Sequence, residues 1–116
     1  MKTIQSMVLA LTFILSLSTN AGALPPASIK ILSPADGSQL DAGETYPLSY
    51  EVTIGTGSDH FHVWVDDKRG PGIHDTKGTY KLPKMTPGEH TIAIKLVDKD
   101  HTPTGPEKSI KVMATK

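Results

Sequence analysis

The chain has no cysteine. A disulfide frame and a thiolate metal site are therefore both excluded, and any metal must be held by histidine, methionine or carboxylate. It has no excess of charge either. Twelve Lys and Arg stand against 12 Asp and Glu, scattered along the sequence, which removes the basic footprint that nucleic-acid binding depends on. No apolar run reaches the ~20 residues a membrane-spanning helix needs. Helical 3.6-residue periodicity is missing outside the first residues, and neither an internal repeat nor a low-complexity segment is present. The motifs of common enzymes are missing as well. No cysteine nucleophile, no G-x-S-x-G and no Gly-rich phosphate loop after a strand occurs. Ser58-Asp59-His60 sets three triad residue types in a row, but neighbours on a strand point to opposite faces, and triads are assembled by spatial role. No enzymatic activity is expected.

What is present begins with an export signal. Lys2 precedes the apolar run Met7 to Leu17, and Ala21-Gly22-Ala23 is an A-x-A cleavage site. Residues 1–23 are thus expected to be removed, with the protein in the periplasm or secreted and free of the membrane after cleavage. Leu24 to Ser28 is a Pro-rich leader, and residues 29–116 are long enough for one domain with a modest core.

Short alternating runs predict strands over 29–32, 46–54, 60–66, 78–82, 89–97 and 108–113. Glycine, proline and aspartate clusters separate them. The segment 67–77 has two glycines, a proline and no period, and reads as a loop; 40–44 reads as a polar bend, and 98–106 as another loop. About seven short strands at this spacing predict an all-β antiparallel sandwich.

The richest stretch is Asp59-His60-Phe61-His62-Val63-Trp64-Val65-Asp66. On a strand His60 and His62 fall on one side, roughly 6.5–7 Å apart along the chain. Two imidazoles on one face are the smallest unit of a metal site. The register that buries Phe61, Val63 and Val65 buries three apolar residues and turns His60, His62 and Trp64 outward; the opposite register buries one apolar residue, Trp64, together with both histidines.

Three segments carry a family resemblance. Leu82 to Ile94 followed by Val97-Asp98 resembles the penultimate corner and strand of bacterial immunoglobulin-like and fibronectin-type-III-like domains. Val63-Trp64-Val65-Asp66-Asp67 is similar to the end of their third strand, and Ile31 to Gly37 to their opening. The fold implied is an immunoglobulin-like β-sandwich. A narrower resemblance is to an uncharacterised exported proteobacterial family with a His-x-His strand (His60, His62), a Pro-Gly-x-His corner (Pro87-Gly88-Glu89-His90) and an Asp-x-x-His turn (Asp98 to His101). It implies no activity.

In an immunoglobulin-like sheet the third strand runs antiparallel to the strand at 89–97. His60 and His62 are then expected at the same end as Asp98, Asp100 and His101, with His90 at the other. Three imidazoles, or two and a carboxylate, suit copper or zinc. The expected ligands are His60, His62 and His101, with Asp98 and Asp100 as helpers. The resemblance gives His90 a structural role, its polar tip bonded to nearby backbone. Met85 is expected to plug the core, and His74 to be exposed and inert. Asp66-Asp67 and Asp98-Lys99-Asp100 are too sparse in carboxylates for calcium. The leading reading is an exported protein that binds or delivers copper, or else zinc. The alternative is a non-catalytic module that meets a protein or glycan through Trp64, its histidines merely decorating a solvated face. Convergence of His60, His62 and His101 discriminates the two.

Overall fold

The computed structural model describes residues 26–116; the export signal expected over 1–23 lies outside them. Eight strands form two sheets, and no helix occurs among the described residues. The smaller sheet is β1 (Ser28–Ser33), β3 (Pro47–Thr53) and β6 (Lys77–Lys81) in the order β1-β3-β6. The larger contains β2 (Gln39–Asp41), β4 (His60–Val65), β5 (Lys68–Ile73), β7 (Gly88–Val97) and β8 (Pro103–Thr115), in the order β2-β8-β7-β4-β5.

Alternation builds the core. Leu48, Tyr50 and Val52 of β3 face Phe61 and Val63 of β4, Ile92, Ile94 and Leu96 of β7, and Ile110, Val112 and Ala114 of β8. Each fully buried aliphatic or aromatic side chain contributes about 1.5–3 kcal/mol. The Tyr50 and Phe61 rings meet edge-on across the two sheets at 5.3 Å and 75°, an arrangement that matches positive ring edge to negative ring face. Met85 is buried in this core.

Three sequence expectations change. The segment 67–77 is not a loop: it contains β5, a strand whose period is masked by Gly70, Pro71 and Gly72. Between His62 and Trp64 the β4–β5 register shifts, with His62 opposite Gly72 and Trp64 opposite Arg69. The extra β5 residue makes a bulge at Gly70-Pro71, on an edge strand, where a proline is tolerated. Leu40 lies not in a polar bend but in β2, buried and parallel to β8. The loop after β7 closes at Thr102, because β8 starts at Pro103.

The β4–β5 hairpin turns at Asp66-Asp67, both with positive φ (51° and 68°). This is the backbone sign pattern of a type I′ turn, which usually takes Asn or Gly. Asp66 is held there from β7. Its Oδ1 accepts the Thr91 N–H at 3.0 Å, its own N–H donates to the Thr91 carbonyl at 2.9 Å, and its Oδ2 accepts the His90 Nδ1–H. His90 Nε2–H donates to the Thr86 carbonyl at 2.7 Å. Both partners of this ring are acceptors, so both ring nitrogens must carry protons, and His90 is an imidazolium clamp between hairpin and corner.

The hydrogen bond to Asp66, then that to Thr86, raise the His90 pKa above 6.5. Burial pushes the Asp66 carboxyl up, but the bonds from His90 and Thr91 and the nearby positive charges outweigh it and leave its pKa below 3.8. His90 stabilisation is full below pH 6.5 and is lost as pH rises through the raised folded value. The Asp66 share is full above pH 3.8 and is lost as pH falls through the depressed value. His90→Ala is expected to cost about 1 kcal/mol at pH 6, because Asp66 is partly exposed and screened. The gap in Tm between wild type and variant should narrow when thermal unfolding is followed from pH 6 to 8.5; a gap independent of pH would remove the imidazolium.

Candidate metal centre

His60 and His62 project from the outer face of the larger sheet, away from the core cluster. They are nevertheless buried, at 4% and 3% exposure, so they do not decorate a solvated face. The β4–β7 register pairs His60 with Val97 and His62 with Lys95, which brings both histidines beside the turn that follows β7. That turn carries His101, and His90 lies toward the opposite end of β7. The outer-face covering is supplied by the histidines themselves: the His60 ring lies 5.0 Å from that of His62, 4.9 Å from His101 and 4.9 Å from His74.

Three nitrogens converge. His60 Nε2 and His62 Nε2 are 3.2 Å apart, His60 Nε2 and His101 Nδ1 3.2 Å, and His62 Nε2 and His101 Nδ1 3.1 Å. The opposite edges of the two strand histidines decide their tautomers. His62 Nδ1 is 2.8 Å from the Gly70 carbonyl oxygen, an acceptor only, so it must carry a proton. His60 Nδ1 is 3.0 Å from Asp59 Oδ2 and likewise donates. Both Nε2 atoms are then bare lone pairs, facing each other at a distance where a hydrogen bond would need a proton that neither holds. In the neutral protein only His101 Nδ1–H can be shared between them. A cation at the centre would satisfy all three.

The spacing states which coordination fits. Nitrogens 3.1–3.2 Å apart, each about 2.0–2.1 Å from a common ion, subtend about 100° at it. That is close to three corners of a tetrahedron with the fourth open. A square-planar set of three needs one pair about 4 Å apart, and no pair here is. Carboxylate–His and carbonyl–His contacts behind the ligands are the outer shell that fixes ring orientation at metal sites. Burial first, and then the nearby Arg69 charge, lower the His62 pKa below 6.5 against the opposing Gly70 bond, so the ring is neutral and its lone pair free near pH 7.

Local structure places each piece. Gly70 reaches His62 because the β5 bulge sits opposite Val63, between the two registers. A side chain at Gly70 would meet the Tyr80 hydroxyl at 2.9 Å and the Val63 carbonyl at 3.0 Å. A Cβ at Gly72 would lie 3.1 Å from His60 Cδ2 and 3.4 Å from its Nε2, so glycine there keeps space beside the converging nitrogens. His101 stands at φ 67°, in a turn tied by Asp98: its Oδ1 accepts the N–H groups of Asp100 (2.8 Å) and Thr102 (3.0 Å), and its carbonyl that of His101 (3.0 Å).

The structure therefore brings His60, His62 and His101 together and separates the carboxylates expected beside them. Asp98 is spent on its own turn and Asp100 is exposed; among the described residues neither joins a group of converging donors. Asp59, Gly70, Gly72 and His74 are the neighbours that sequence reasoning missed. Only Asp59 left a signal, as the carboxylate next to His60. His74 is exposed as expected, but its ring stacks on His60 at an interplanar angle of 26°. Trp64 is partly buried on the same face, under the Lys95 ammonium at 4.6 Å, and its Nε1–H is buried without a partner.

No protein-family model matches the sequence, and no curated protein matches it significantly. Among solved structures, the fibronectin(III)-like modules of Clostridium thermocellum CbhA align with a TM-score of 0.62 over 76% of this chain and 97% of that one, at 17% identity. The fold is a fibronectin(III)-like sandwich. At that identity the likeness concerns the fold alone. A lytic polysaccharide monooxygenase from Jonesia denitrificans, known from neutron crystallography, aligns at a TM-score of 0.46 and 16% identity over 71% of this chain and 60% of that one, too slight a likeness to bear on the site.

If Asp98 acts by holding the His101 turn, Asp98→Ala should weaken zinc binding at least tenfold, and Asp98→Asn, which keeps the accepting oxygen, should restore most of it. Isothermal titration of the two variants checks this. Equal losses in both would make Asp98 a ligand through its charge.

Proposed function

We propose that this protein binds a transition-metal ion, copper or zinc, through His60 Nε2, His62 Nε2 and His101 Nδ1, and that its role is to hold or hand on the ion without catalysis. The observation that carries the reading is the approach of His60 Nε2 and His62 Nε2 to 3.2 Å while an acceptor oxygen faces each Nδ1, the arrangement that leaves two lone pairs turned on each other. The near-tetrahedral spacing supports Zn(II) or Cu(I) over a square-planar Cu(II). The A-x-A motif at Ala21 to Ala23 supports export to the periplasm or beyond, where an unknown protein would give or take the ion. The resemblance to exported domains with a His-x-His strand, a Pro-Gly-x-His corner and an Asp-x-x-His turn fits this division of labour: strand and turn make the site, and the corner clamps the hairpin.

One observation favours a second reading. The unpartnered Trp64 Nε1–H and the cation above the ring support an interaction module whose partner, a protein or glycan, supplies the missing acceptor.

Titration with Zn(II) and Cu(I) separates the two. Wild type should bind one ion with a Kd tighter than about 1 µM, about −8 kcal/mol. His60→Ala/His62→Ala should abolish binding, and His101→Ala, an exposed change that spares the fold, should weaken it at least tenfold. Weak binding unchanged by either variant would leave the interaction reading.

A further inference from the structure

His60 belongs to two groups of donors. One is the set with His62 and His101, buried except at His101; the other is Asp59, His60 and His74, whose candidate ligand atoms lie within 4.8 Å of one another. His60 and His62 are almost fully covered; the first group reaches solvent at His101 alone, the second at both Asp59 and His74. The His74 ring lies against His60 from the solvent side, 4.9 Å between centroids.

Charge gives the surroundings a direction. Toward Trp64, the outer face carries Lys95, paired with His62 and poised over the indole, and Arg69, paired with Trp64 and close enough to depress ionisation of His62. A cation approaching along that face meets two positive charges. On the other side stands Asp59, whose carboxylate lies within 4.8 Å of the His60 and His74 donors. Clefts lined by one sign of charge steer ions of the other sign and raise their rate of arrival. Both His101 and His74 give access from solvent, but only on the His74 side does a carboxylate join the converging donors.

We propose that Asp59 and His74 form an outer landing position for the incoming ion, and that His60, shared by both groups, is the first inner ligand it reaches. This rests on the metal reading above. Transfer is ligand exchange without redox change. Bonds to Asp59 and His74 break as bonds to His60, His62 and His101 form, and the proton on His101 Nδ1 leaves to water. His74 is then not inert: it governs the rate of traffic and not the final affinity, because a landing ligand lowers the barrier in both directions.

The test compares wild type, His74→Ala and His74→Phe by stopped flow, with Zn(II) for uptake and a chromophoric zinc chelator for release. Position 74 is exposed, so both variants keep the fold, and phenylalanine keeps a stacked ring while removing the nitrogen. Uptake and release should each slow at least fivefold in both variants, with the Kd moving less than twofold. Unchanged rates overturn the proposal. So do faster exchange in His74→Ala with wild-type rates in His74→Phe, which would make the ring a cover only, and a tenfold weaker Kd in both, which would make His74 a resident ligand. Absence of stoichiometric zinc binding by the wild type shows at equilibrium, before any rate is measured; it sinks the metal reading and this proposal with it.

Discussion

Three imidazole nitrogens held 3.1–3.2 Å apart, two of them with their protons committed elsewhere, are the constraint around which the rest of this domain is arranged. Period-2 alternation in β4 puts Phe61 and Val63 into the core and His60 and His62 on the other face. The same strand therefore anchors the fold and carries two of the three converging imidazoles. Its two neighbours complete the site: β7 ends beside His60 and delivers the His101 turn, while the bulged edge strand β5 turns the Gly70 carbonyl to His62. A bulge next to a functional side chain re-aims backbone groups that a regular ladder would have consumed.

The arrangement costs stability when it is empty of positive charge. Two buried Nε2 lone pairs that face each other lose hydration and have only the single His101 Nδ1–H to share. The core of the sandwich, the Tyr50–Phe61 contact between sheets and the His90–Asp66 clamp at the far end offset that cost. Any ion that binds the folded and not the unfolded chain returns part of it, since binding to a site that exists only in the native state is folding free energy. The Asp98 turn and the Asp59 carboxylate serve the site without lying in it: one fixes where His101 stands, the other which His60 nitrogen holds a proton.

Much of this was legible in the sequence. Alternation in β3, β4, β7 and β8 gave the sandwich, and the strand order of immunoglobulin-like sheets put the His-x-His pair beside the turn at 98–101, because antiparallel neighbours bring one strand's start to the other's end. What stayed hidden has physical causes. β5 lost its period to a bulge, a proline and two glycines, so neither the hairpin nor the Gly70 contact was visible. Burial of His60 and His62 on an outward face could not be read from alternation, since their cover comes from His74 and His101, both in segments without period. Asp98 and Asp100 looked like ligands by proximity; hydrogen bonding within the turn claims the first, and the second faces solvent.

The proposed metal site depends on the tautomers of two histidines, and long-range ¹H–¹⁵N correlation of the imidazoles reads these directly. In the metal-free protein near neutral pH, His60 and His62 should both carry their proton on Nδ1 and leave Nε2 bare, and Zn(II) should shift both Nε2 resonances while the Nδ1 protons stay. A proton on Nε2 of either ring would mean that the two nitrogens share an ordinary hydrogen bond, and that the site needs no ion to be complete.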